Sequence, residues 1–300
     1  MAVALAQEGA FGFGLQTQQG TAVAPSVWLP LMGGGHRGET LKWHKNYVTL
    51  DMADTNDFES RYFSVGEWVE GQITVPLVPG SLTALLSWIQ DRDQDNQGKW
   101  ASLVVDCVNE VKQVTDAKVR RVTLDLVKGQ PVTCTLDVVA LKMQSGAAAA
   151  VTMPTAAPYL YREATVQIGD TGGALTEDVS CEQIRIVIEN MVEAPAEGLR
   201  LVSGVNPRHL YNLSGVRCRG AISRDFADTT LYADFAAGQE AALRLDLTRG
   251  ASTASISLPR VLYTESDLGL PGSHEQRIVE TVQFLALGST DGLTAPVVLG

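Results

Sequence analysis

The residues best equipped for chemistry sit in one short acidic run. Asp91, Asp93 and Asp95 hold the first, third and fifth places of a calcium loop, where alternate carboxylates converge on one hard cation. The glycine required at the sixth place is Asn96, and the bidentate acid at the twelfth is Ser102. A solvated loop following a helix is therefore the better reading, and no metal site is assigned. Gly9, Gly12 and Gly14 are spaced as a fragment of a dinucleotide loop but lack the strand, turn and helix that would aim it at a phosphate. His36, His44, His209 and His274 are scattered, with no H-E-x-x-H and no paired-ligand spacing. Cys107, Cys134, Cys181 and Cys218 lie far apart without a C-x-x-C pair, and three of them fall in strand-like alternation, which points to buried free thiols. No G-x-S-x-G elbow occurs. These patterns argue against an enzyme and imply no cofactor.

The most basic stretch is Arg217, Arg219 and Arg224, with Arg208 just before it. Nucleic-acid binding is the sharp reading, yet the net charge of -11 opposes a phosphate grip and favours arginines paired with acids of another copy. A length of 300 residues suggests two domains of ordinary size, and Gly 28 and Pro 12 with many Val, Leu and Thr favour a mainly β class. The start, MAVALAQEGAFGFG, lacks the basic n-region of a signal peptide, and no apolar run is long enough to span a bilayer. Synthesis in the cytosol and no membrane anchor are expected.

The elements that must carry these residues centre on Leu213 to Leu247. Val216, Cys218 and Ile222 alternate with Arg217, Arg219 and Ser223, as in a strand with one buried face. Asp228 is placed to cap a helix bearing Leu231 and Phe235, which Gly238 ends, and Leu243, Leu245 and Leu247 resume the alternation. Earlier in the chain, Val69 to Val75 alternates, Ser81 caps a helix with Leu82, Leu85, Leu86 and Ile89 on one stripe, and Leu103, Val105 and Cys107 form the next strand. Strands are also expected at Leu41 to Leu50, Val119 to Val127, Val132 to Met143, Gln183 to Met191 and Arg277 to Leu287, and Pro259 marks an edge strand or a bulge. Asp51 to Glu67 reads as a long acidic and aromatic loop, with Val192 to Tyr211 in the matching place of the second half.

Asn46 with Asn190, and Gly71 with Gly215, recur about 144 residues apart, so the chain reads as one long duplication. Residues 1–35 form an apolar N-terminal arm of the first domain, 36–144 its body, 145–158 an Ala-rich linker and 159–300 the second domain. The arm carries Phe11, Phe13, Trp28 and Leu29 without helical period and must be laid against its own domain or a neighbouring copy.

FGFGLQTQQGTAVAPSVWLP, with Gly20, Thr21, Ala22, Pro25, Trp28 and Pro30, resembles the opening of phage tail tube proteins of the long, non-contractile (siphophage) type. The stretch SGVRCRGAISRDFADTTLYADFAAGQEAALRLDLTRG, the SISLPRV strand and the closing RIVETVQFLAL are similar to the same family. The resemblance implies two tandem β-sandwich or barrel domains, each with one short flanking helix. It also implies a structural virion protein, the major subunit of a hollow tail tube through which DNA is ejected. Three chains would form a pseudo-hexameric ring, with the tail-tip initiator, tape measure and terminator proteins as partners and DNA passing without specific binding. Phe11, Phe13, Trp28, Phe58, Arg61, Tyr62 and Phe63 are expected at ring and subunit contacts. The alternative is a carbohydrate- or calcium-binding β-sandwich module, a virion decoration or adhesin.

Overall fold

One strand ties the early and late parts of the chain together, the 17-residue β6 (Val111–Val127), because strands from both parts pair with it. The computed structural model describes residues 9–32, 38–49, 62–92, 98–107, 110–147, 150–201, 204–269, 277–288 and 296–299. The chain is mainly β, and all the strand pairs are antiparallel within one large sheet, with two α-helices among the described residues.

Before β6 come β1 (Ala10–Leu15), β2 (Val27–Pro30), β3 (Lys42–Thr49), β4 (Tyr62–Pro76), α1 (Ser81–Gln90) and β5 (Ala101–Asp106), and β7 (Thr133–Ser145) follows it. The later elements are β8 (Ala164–Asp170), β9 (Thr176–Glu177), β10 (Cys181–Glu189), β11 (Arg217–Asp225), α2 (Thr230–Ala237), β12 (Glu240–Arg249), β13 (Ser252–Gly269), β14 (Val279–Ala286) and β15 (Val298–Leu299). Hydrogen bonding orders the early strands β3-β4-β7-β6-β5-β1-β2 and the later ones β10-β11-β14-β13-β12-β8-β9, an identical order with each element shifted to its later counterpart. Irregularities recur too. The β5 to β6 pairing slips between Ala101 and Leu103, and β12 to β13 between Ala241 and Leu243; β6 to β7 slips between Val119 and Arg121, and β13 to β14 between Tyr263 and Glu265. Pro259 lies in the slip of β13, where its missing N–H costs no ladder bond.

Beyond the stretch that β5 covers, β6 receives β10, from Arg121 opposite Glu189 to Val127 opposite Gln183. On one face Val122, Leu124 and Leu126 meet Ile184, Ile186 and Ile188, all buried. Each such side chain stabilises the fold by about 1.5–3 kcal/mol when fully buried. A single apolar cluster therefore runs through both halves.

The described part of the arm is laid against its own chain and joins the core. β1 inserts between β2 and β5, with Phe11 opposite Leu29 and Val105, and Phe13 opposite Val27 and Leu103. Phe13 also stacks on Trp88 of α1 at 5.5 Å. A side chain at Gly12 would lie 2.7 Å from the Trp28 ring, so the glycine lets that ring lie flat on the strand.

Two helix ends differ from expectation in detail. Gly80, left-handed at φ 84, precedes α1, and Ser81 is its first residue, with Oγ donating to the Val78 carbonyl. At α2 the N-cap residue is Thr229 and not Asp228, whose carboxylate accepts the Thr230 N–H at 2.8 Å from one position earlier, and Gly238 closes the helix at φ 63 as expected. Of the stretch Asp51 to Glu67, expected as a loop, Tyr62 to Glu67 belong to β4, and the remainder lies outside the described residues. The linker ends in order: Tyr159 is buried, its N–H donating to the Leu77 carbonyl.

Candidate assembly surface

The β3 and β4 hairpin carries a set of large apolar side chains that its own fold leaves uncovered. Trp43 is 43% exposed, Tyr47 51%, Tyr62 71% and Phe63 52%, with Val48 and Val65 beside them. Tyr47 and Tyr62 meet edge to face at 5.3 Å, and the Lys45 ammonium sits 3.9 Å above the Trp43 ring. His44 stacks on Trp68 and lies 3.5 Å from Glu70. Burial alone would raise the Glu70 carboxyl, but the Arg120 guanidinium at 2.6 Å holds it below the ordinary carboxylate value.

Of the expected contact residues, Tyr62 and Phe63 therefore reach the surface, while Phe58 and Arg61 lie outside the described residues. Phe11, Phe13 and Trp28 are buried within this chain, where β1 lies between β5 and the edge strand β2. Their signal was available in the sequence, since Phe-Gly-Phe-Gly alternates with the period of a strand.

The polar face of the sheet where the halves join is charged but internally paired. Glu189 accepts from both Arg121 at 2.8 Å and Arg219 at 2.9 Å, and Arg185 pairs with Asp125. Arg277 bonds Glu182 at 2.9 Å and Asp225 at 2.7 Å, and Lys128 reaches Glu182 at 2.6 Å. A shallow concavity of about 630 Å³ opens there, lined by Arg121, Arg185, Arg219, Gly220 and Gln283 among others. Of the basic patch seen in the sequence, Arg219 is held by Glu189 of the same chain, and Arg224 is not on the surface at all. It is buried, 3.0 Å from Glu280, 3.1 Å from Asp228 and 3.6 Å from Asp178. Burial works against its charge, yet these carboxylates hold the guanidinium above its ordinary value.

Asp91 is an exposed residue just past the end of α1, Asp93 and Asp95 lie outside the described residues, and no metal-binding group of three His, Cys, Asp or Glu occurs among the described residues. All four cysteines are free; burial pushes the Cys134 and Cys218 thiols up to about 12, far from a reactive thiolate. His209, expected as a loop residue, packs against Trp100 at 5.2 Å and shares a hydrogen bond with Gln19 at 2.6 Å, tying the arm to the 192–213 segment. Its neighbour in that lock, Lys118, is buried with Nζ 2.6 Å from the Leu210 carbonyl and 4.4 Å from the Trp100 ring. No helix among the described residues is long and apolar enough to cross a membrane.

A family model described as phage tail tube protein matches residues 6–286. A search of curated proteins returned no match. Among solved structures, a chain of the anti-feeding prophage (AFP) baseplate, determined by cryo-EM with 6-fold symmetrisation, is similar at 12% identity and a TM-score of 0.32, covering 52% of this chain and 97% of that one.

Proposed function

The chain belongs to the phage tail tube protein family, a structural component of the virion tail, and we propose that it is the major tube subunit of a long, non-contractile tail. The match of the family model over residues 6–286 carries this reading. Copies associate into rings, and rings stack into a hollow tube through which double-stranded DNA leaves the particle. The repeated strand order supports two tube domains per chain derived from one duplication, so three chains would supply six domains to a ring. The tail-tip initiator, tape measure and terminator proteins are its partners, and it is made in the host cytoplasm before assembly.

Two surface features support the reading. The uncovered aromatics of the β3 and β4 hairpin are the kind of patch that self-association buries. Net charge of -11, with the sheet-face arginines held by Glu189 and Asp125, leaves little free cation to grip passing phosphates.

Negative-stain electron microscopy with light scattering over a concentration series tests the proposal. Hollow rings or tubes with three chains per layer are expected, and Tyr62→Ser with Phe63→Ser should leave the melting temperature unchanged while suppressing them. A folded chain that stays single at every concentration, with and without tail-tip extract, would refute tube assembly.

A further inference from the structure

The joint between the halves leaves two strand edges without a counterpart. β10 lies on β6 from Arg121 to Val127, the stretch that β5 does not cover. In the second half β13 takes the place of β6. β12 covers it only as far as Leu262, β14 holds its other edge, and from Glu265 to Gly269 the first edge carries no strand among the described residues. β3 takes the place of β10: β4 holds one edge, and the other pairs with no strand among the described residues. Both halves thus contain the two complementary edges, but only one pair of edges is joined within the chain.

The matching pairings fix which residues correspond. Ala117 and Val261 stand opposite Ala140 and Ala286, so Val122 corresponds to Ser266, Thr123 to Asp267 and Leu124 to Leu268. Trp43 pairs with Val69, which pairs with Ala140; Ile188 pairs with Cys218, which pairs with Ala286. Trp43 therefore corresponds to Ile188, Lys42 to Val187 and His44 to Glu189.

We propose that the outer edge of β3 adds to the open edge of β13 in a second copy, in the register that β10 takes on β6. This rests on the reading of the chain as a self-assembling tube subunit and names the joint by which its copies meet. The register sets Lys42 opposite Asp267, His44 opposite Glu265, Trp43 opposite Ser266 and Leu41 opposite Leu268. Asp267 and Glu265 thereby face basic side chains, as Asp125 faces Arg185 and Glu189 faces Arg121 inside the chain. The outward residues of the β13 edge, Glu265 and Asp267, are acidic, and those of β3 that face them, Lys42 and His44, carry an ammonium and an imidazole. Like edges repel and unlike edges attract, which makes the contact head to tail, the geometry that closes into rings. Trp43, 43% exposed in the single chain, is covered in the joint. The Leu41 N–H and C=O are held in the single chain by the Glu39 carboxylate and the Lys112 ammonium. These side chains shield the edge until a strand replaces them, a known defence of edge strands.

The test uses full-length chains carrying Lys42→Cys and Asp267→Cys, both at exposed positions, after matching their melting temperatures to the parent. Lys42 and Asp267 face each other across a pair that is not hydrogen bonded, where side chains approach most closely. Under mild oxidation the double variant should give a ladder of covalent dimers, trimers and larger species, and a mixture of the two single variants should stop at dimers. The register-shifted pair Lys42→Cys with Glu265→Cys should link at least tenfold more slowly. In parallel, Lys42→Glu should weaken assembly and Lys42→Glu with Asp267→Lys should restore it. Rings or tubes by electron microscopy without these cross-links would overturn the joint and leave the tube reading standing. Chains that remain single and unlinked would overturn both.

Discussion

Replacing Glu280 should expose how the second half is held together. Glu280 on β14 is fully buried and Arg224 on β11 is 7% exposed, with Nε and Oε2 3.0 Å apart. Glu280→Leu leaves the guanidinium buried with Asp178 at 3.6 Å and the half-exposed Asp228 at 3.1 Å. Removing one partner of a buried pair costs about 3–5 kcal/mol, and the two remaining carboxylates place this variant near the lower figure. Arg224→Met strands the Glu280 carboxylate in the core and should cost about 4 kcal/mol or more. The joint variant Arg224→Met with Glu280→Leu removes both desolvation penalties and should lose only about 1 kcal/mol. Glu280 Oε1 accepts no hydrogen bond among the described residues, so an apolar replacement forfeits little there. Urea unfolding of the full chain, followed by tryptophan fluorescence, gives the three midpoints and the coupling energy. Additive losses in the joint variant would refute the argument, because they would mean that the two groups contribute independently and that burial of charge is not the governing cost.

Gly220 sits where β11 passes between β10 and β14, and an added Cβ would fall 2.2 Å from the Arg185 carbonyl oxygen and 2.4 Å from the Phe284 ring; Gly220→Val should therefore lower the melting temperature steeply, by the equivalent of about 3 kcal/mol, in a thermal scan. The Asp228 carboxyl is held below its ordinary value first by the Thr230 N–H and then by Arg224. A depressed carboxyl adds stability that is present above its unfolded value, near about 4, and is lost as pH falls through the folded value. The melting temperature should therefore decline below about pH 4, and Asp228→Asn should flatten that decline in scans between about pH 3 and pH 6.

Where burial is written into local spacing, the fold was readable. Ile184, Ile186 and Ile188 alternate cleanly and form one buried strand face as expected, and the Leu82, Leu85, Leu86 and Ile89 stripe forms the buried face of α1. The arm was harder to read because its alternate residues are glycines, which carry no hydrophobic signal even when, as at Gly12, they mark close contact with Trp28. Arg224 was read as surface because its three partners lie at residues 178, 228 and 280, two of them about fifty positions away, a distance that no local period encodes. Tyr62 and Phe63 are exposed, but sequence could not separate them from Phe11 and Phe13, which have the same chemistry and the opposite burial. Edges are subtler still: that β3 and part of β13 each keep one edge without a strand among the described residues follows only from knowing which strands fill the others.

The seven residue pairs between β6 and β10 also decide how the molecule carries load. A connector rich in alanine and proline would suggest two beads on a string, free to swivel. Instead a shared strand is clamped on both sides, by β7 along one flank and by β5 and β10 in succession along the other. A pull along that strand loads its hydrogen bonds side by side in shear, so they must fail together and not one after another. Bending between the halves would likewise have to break the joint, which makes the chain a single stiff lever whose two ends move as one.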